Sequence, residues 1–226
     1  MPGSGDNCAA SDQNAPTGRA TAMAETVNKP ATYADLEAVP PHLVAEIIDG
    51  VLRTHPRPSP RHSGAANAIS AKLTDPFQWG GGGPGGWVFF VEPELKLGTH
   101  ILVPDIAGWR RERLSAYPET NYFEIAPDWV CEILSASTEI RDRTVKMRIY
   151  AEEGLPYFWL IDPRLQMLEA FELVEGRWVK VGAWSSDDQV RVPPFDAISF
   201  SLADLWPLDK PLGFNEDPQA LYAGDR

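Results

Sequence analysis

Two apolar runs on either side of one helix-length segment constrain this chain most. They are Trp129-Val-Cys-Glu-Ile-Leu134 and Pro156-Tyr-Phe-Trp-Leu-Ile-Asp162. Apart from Glu132 their interiors are apolar, as expected of strands buried on both faces of a sheet. The segment between them, Glu139 to Glu153, reads as a helix capped by Ser137 or Thr138 and stopped by Gly154. A buried strand, a helix and a second buried strand belong to an α/β architecture.

The remaining signals extend that frame. Thr32 to Val39 reads as a short helix ended by Pro40 and Pro41. Leu43 to Ile48 and Val51 to Thr54 flank Asp49-Gly50, the signature of a hairpin with a type I′ turn. After a proline-rich loop, His62 to Trp79 has helical spacing at Ala66, Ile69, Leu73 and Phe77. The glycine run Gly80 to Gly86 lacks a Gly-Lys-Ser/Thr ending, so it reads as a flexible connector rather than a phosphate loop. Trp87 to Leu97 and Ile101 to Trp109 read as two further strands, and Leu168 to Leu173 with Arg177 to Val181 as a second hairpin. The predicted fold class is therefore α/β, a mixed sheet flanked by helices with an added N-terminal β-hairpin. Residues 1–29 are poor in large apolar groups and are expected to be a disordered tail, 30–210 a single domain, and 211–226 a C-terminal tail.

Two carboxylates fall inside apolar runs: Glu132, and Asp105 in Ile101-Leu-Val-Pro-Asp-Ile-Ala-Gly-Trp109. An unpartnered carboxylate removed from water is costly, and two in neighbouring strands repel each other. A divalent cation held by oxygen ligands would answer both problems and would make a hydrolytic site. The alternatives are a structural ion pair for Glu132 and an exposed strand end for Asp105. Asp142 and Lys146, four apart on the predicted helix, read either as an exposed ion pair or as a pair turned onto the sheet. His62 opens a helix, where it could contact a phosphate, act as an auxiliary base, or simply be a partly exposed histidine.

A net charge of −12 argues against non-specific nucleic-acid binding through a basic surface. Arginines nevertheless cluster at Arg53, Arg57 and Arg61, at Arg110, Arg111 and Arg113, and at Arg141, Arg143 and Arg148. These could track phosphates or be ordinary solvated charge. The four histidines have no zinc-ligand spacing, and no nucleophile-elbow motif is present. The two cysteines, Cys8 and Cys131, are not expected to pair. Without an apolar run of membrane length or a signal-like h-region, the expected location is cytoplasmic, away from membranes.

Pro104-Asp105, Glu132-Ile-Leu-Ser-Ala-Ser-Thr138, and Asp142 with Lys146 and Tyr150 together resemble the PD-(D/E)XK nuclease superfamily. More narrowly, with Glu46-Ile-Ile-Asp-Gly50, Pro58-Ser-Pro-Arg-His62 and the run Gly154 to Pro163, the chain resembles the Uma-two family of endonucleases with a restriction-endonuclease-like fold. The resemblance implies a Mg2+- or Mn2+-dependent endonuclease acting on DNA. Asp105 and Glu132 would bind metal, Glu46 would be a further acid near it, and Lys146 would be the catalytic lysine. His62 and Asp142 are auxiliary candidates. A homodimer would suit double-strand cutting. The superfamily pattern places its lysine two residues after the second acid, where this chain has Leu134. Lys146 from the next helix would replace it, and Lys146→Ala is expected to lower cleavage with little change in folding. The competing readings are a nuclease-fold module that binds or assembles without cutting, and a metal-free hydrolase using Glu132 and Asp105 as an acid/base pair.

Overall fold

The computed structural model describes residues 29–209, so the tails expected at 1–29 and 211–226, and Cys8, lie outside the described residues but for Lys29. Two sheets stack against each other. One has six strands in the order β11-β10-β9-β8-β6-β3: β3 (Trp87–Val91), β6 (Ile106–Arg110), β8 (Trp129–Ile133), β9 (Tyr157–Asp162), β10 (Met167–Val174) and β11 (Arg177–Ser185). Its β8–β9 pair is parallel and the others are antiparallel, which makes the sheet mixed. The other has five strands in the order β2-β1-β5-β4-β7: β1 (Leu43–Ile48), β2 (Val51–Pro56), β4 (Glu94–Leu97), β5 (His100–Leu102) and β7 (Tyr122–Phe123). A small ribbon of β12 (Gln189–Val190) and β13 (Phe200–Ser201) completes the strands.

Asp49 and Gly50 both have positive φ, as a type I′ turn requires, and they join β1 to β2. This added hairpin forms one edge of the five-stranded sheet. Short helix α1 (Tyr33–Glu37) covers the outer face of that sheet through Leu36, Ala45, Ile47 and Ile101. Between the sheets, Leu95, Leu102, Trp109, Val130, Leu160 and Tyr150 form a continuous core. On the far face of the six-stranded sheet, α2 (Pro60–Leu73) packs Ala65, Ile69 and Leu73 against Trp129, Cys131 and Trp159. Among the described residues no helix is long and apolar enough to cross a membrane.

Two strands predicted as single runs are each divided. Trp87 to Leu97 breaks at Glu92-Pro93 into β3 and β4, and Ile101 to Trp109 breaks at Val103 to Asp105 between β5 and β6. In both cases a proline removes a ladder donor and lets the chain cross from one sheet to the other. The crossing places Asp105 at a strand end.

The glycine run is also not the free connector expected. After α2 the chain continues as a π-helical turn (Thr74–Trp79), and the glycines fold back onto it. Gly81 N–H donates to the Asp75 carbonyl and Gly85 N–H to the Pro76 carbonyl. A Cβ on Gly83 would stand 2.5 Å from Pro76 Cβ and 2.7 Å from its carbonyl oxygen. Gly83→Ala should therefore lower stability by about 1–3 kcal/mol. Gly64→Ala, within α2 and with nothing within 4 Å of the new Cβ, should raise it by about 0.5–1 kcal/mol. Urea melts of the two variants check both signs.

Candidate active site

Asp105 precedes β6, one step beyond the Ile106–Cys131 pair, and Glu132 is the residue after Cys131 on β8. The antiparallel register thus sets the two acids against each other at the strand ends. Asp105 Oδ2 accepts the Ile133 N–H at 2.6 Å, continuing the ladder with a side chain. Its Oδ1 lies 3.1 Å from His62 Nε2. His62 is placed by the start of α2, where Ser59 is the N-cap, Pro60 opens the helix, and Ser59 Oγ accepts the His62 N–H. His62 is buried rather than partly exposed. Burial alone would lower its pKa, but the Asp105 carboxylate outweighs that and holds it above the usual histidine value.

The helix between β8 and β9 runs as α3 (Glu139–Arg141), a π-helical turn (Asp142–Lys146) and α4 (Met147–Glu152). Wide turns of this kind recur at functional sites. Asp142 and Lys146 are each 3% exposed, so they are not a solvent-exposed pair. Lys146 Nζ lies 2.9 Å from Glu46 Oε1, 3.1 Å from Glu132 Oε1 and 3.7 Å from Asp142 Oδ1, and donates to the Val103 carbonyl at 3.3 Å. Tyr150, one turn further on, donates its hydroxyl to Glu132 Oε1 at 2.7 Å. Its spacing of four from Lys146 is the sequence signal that the two share a face; the bond to Glu132 becomes visible only in the fold.

Glu46 comes from β1 in the facing sheet and is completely buried. One of its oxygens accepts the Val103 N–H at 3.0 Å, and the other lies 3.5 Å from Arg141 without a hydrogen bond. Burial would raise its pKa, but Lys146 and the Val103 N–H outweigh this and lower it. Glu132 goes the other way: burial, with Asp142, Asp105 and Glu46 nearby, pushes it well above the usual carboxylate range against the pull of Lys146. Burial also raises Asp142, opposed by Lys146 and by a hydrogen bond from Thr138. Lys146 would be lowered by burial, yet Glu132, Glu46 and Asp142 together keep it firmly protonated. Burial and both neighbouring acids raise the Cys131 thiol well above its ordinary value, leaving it inert.

These groups form the floor of an open cleft of about 180 Å3. Asp105, Glu132, Asp142 and Lys146 line it; Glu46 stands behind them. His55, Arg57 and His62 contribute to its walls, as do Ser135, Ser137 and Thr138. The three hydroxyls hydrogen-bond through Ser135 Oγ, 3.0 Å from each of the other two. Ser137 and Thr138 are expected from sequence only as helix caps, and Ser135 has no expected role.

The fold supplies part of the neutralisation expected of a metal, through His62 on Asp105 and Lys146 on Glu132. The donor set still fits a hard cation. Four carboxylates face Lys146, His62 and the more distant Arg141, and burial together with the neighbouring acids keeps Glu132 raised. Among the described residues no three His, Cys, Asp or Glu side chains are spaced as a metal cage. A metal here would rest on one or two carboxylates and water, the usual way of holding Mg2+.

The sequence pattern of the Uma2 family, described as a putative restriction endonuclease, matches residues 30–203. The chain belongs to that family. A crystal structure described as a putative nuclease belonging to DUF820 from Anabaena variabilis superposes with a TM-score of 0.61 at 25% identity, over 79% of this chain and 98% of that one. No curated protein matches this chain. The Uma2 assignment and the structural match agree with the mixed α/β architecture and its restriction-endonuclease-like class.

Within this Uma2 fold Glu46, Asp105, Glu132, Asp142, Lys146 and His62 all converge. Most of the clustered arginines are paired with carboxylates. Arg57 pairs with Glu92, Arg61 with Asp209, Arg113 with Asp128, Arg143 with Glu139 and Glu169, and Arg148 with Asp49 and Glu152. Arg110 lies over the Trp87 ring. Leu134, at the position where the superfamily pattern has lysine, is buried in the core between the sheets.

Proposed function

We propose that the protein is a divalent-metal-dependent endonuclease that hydrolyses phosphodiester bonds in DNA. The observation that carries this reading is the gathering of Asp105, Glu132 and Lys146 on the floor of an open cleft, in a chain of the Uma2 family. Asp105 and Glu132 would hold Mg2+ or Mn2+. The bound ion supplies a water of lowered pKa and a polarised phosphoryl oxygen.

The chain's own residues prepare the rest. His62 and the Ile133 N–H fix the Asp105 carboxylate, and Tyr150 fixes Glu132. Lys146 lines the cleft as a protonated ammonium and offers its charge to a phosphoryl oxygen as negative charge develops there. Its position supports a lysine supplied by the helix in place of Leu134. Glu46, behind Lys146, acts as its positioning residue rather than as a metal ligand. Asp142 is a second support for Lys146. Cutting both strands calls for two such sites, which a homodimer supplies.

A titration calorimetry experiment with Mn2+, paired with plasmid cleavage in Mg2+ or Mn2+, tests the proposal. The native chain should bind metal and cut, and the Asp105→Asn/Glu132→Gln double variant should do neither. A native chain that binds no metal and leaves DNA intact ends this reading. Retention of DNA under those conditions selects the non-cutting module.

A further inference from the structure

The cleft does not end at Asp105. A second groove, of about 200 Å3, begins on the other side of the His62–Asp105 pair and shares Pro58, His62, Glu92 and Asp105 with the first. It follows α2, which contributes Ser63, Asn67 and Ser70 at helical spacing, and its opposite wall is Val91 and Glu92 at the end of β3. We propose that this groove carries one polynucleotide strand away from the cleaved phosphate, with Asn67 as its main hydrogen-bonding contact. The proposal rests on the nuclease reading above and adds the path of the substrate.

Three observations support a nucleic-acid strand here. Asp105 lines both depressions, so a strand whose phosphate reaches it in the cleft passes directly into the groove. The exposed carboxamide of Asn67 has no hydrogen-bond partner among the described residues, and it offers both a donor and an acceptor to phosphate, sugar or base edges. The Glu92 carboxylate, which would repel phosphate on the opposite wall, is neutralised by Arg57 at 3.1 Å. Exposed Val91 adds an apolar surface for a sugar or base. With most arginines paired to carboxylates, contacts of this hydrogen-bonding kind would have to contribute much of the affinity.

The test uses charge at one exposed position in the full chain. Asn67→Glu and Asn67→Lys are compared with the native protein for cleavage of a labelled DNA duplex in Mn2+, and for binding of that duplex by fluorescence anisotropy in EDTA. Asn67→Glu should raise KM and Kd about tenfold, and Asn67→Lys should lower both, with kcat and Tm unchanged. Opposite signs in the two variants distinguish substrate contact from a structural role, which would shift both the same way. Native cleavage with KM and Kd unmoved in both variants overturns the groove and leaves the nuclease reading standing. A native chain that neither cuts nor binds DNA overturns both.

Discussion

Lys146→Met should destabilise the protein by about 3–5 kcal/mol at neutral pH, the usual consequence of stripping one partner from a buried charge cluster. For a domain of this size that is a fall in Tm of roughly 10 °C or more. Cleavage should disappear with it. The sequence alone suggests that losing Lys146 would spare the fold, but its burial among Glu46, Glu132 and Asp142 reverses that expectation. The pH dependence has a definite sign. Glu132 and Asp142 already sit above their reference values of 4.5 and 3.8, and removing the lysine raises them further. Acids with raised folded pKa values bind protons more readily folded than unfolded, so folding gains stability as pH falls. The deficit of Lys146→Met should therefore shrink on acidification, from the raised folded pKa values down to the reference values. Adding Glu132→Gln should restore part of the lost stability without restoring cleavage. A Lys146→Met variant that melts like the native chain at neutral pH would show that the carboxylates do not need the ammonium.

Asp105→Asn should reduce kcat/KM on the order of 10³-fold while leaving Tm within about 2 °C of native. Asparagine keeps an oxygen for the Ile133 N–H, so the extension of the β6–β8 ladder survives. It removes the charge that attracts His62 and would attract the metal. Asp105→Ala is the poorer experiment, because it also leaves the Ile133 N–H without its acceptor. Thermal melts, steady-state cleavage and Mn2+ titration of Asp105→Asn separate the two effects. Cleavage within a few-fold of native would remove Asp105 from the chemistry.

Local signals survived folding wherever the cause was local. Asp49-Gly50 demanded a type I′ turn and has one, because few other residue pairs accept positive φ at both positions. The apolar runs around Glu132 and Phe158 became neighbouring parallel strands because neither could be left facing water. The divided strands misled the sequence reading because Pro93 and Pro104 change the sheet, and a sheet change leaves no trace in apolar pattern. The glycine run misled it because Gly81 and Gly83 are small for close packing against the Asp75–Pro76 turn.

The residue types of the candidate site, and their order along the chain, were set by sequence: two acids in apolar strands, and a lysine and a tyrosine sharing one face of the next helix. Tertiary structure alone decided which charges meet. Glu46 arrives from the facing sheet to meet Lys146, 100 residues later in the chain, and His62 arrives from α2 to meet Asp105. Such pairings depend on how two sheets and a helix stack, and the energy of a buried charge depends on every neighbour within a few ångströms rather than on its place in the chain.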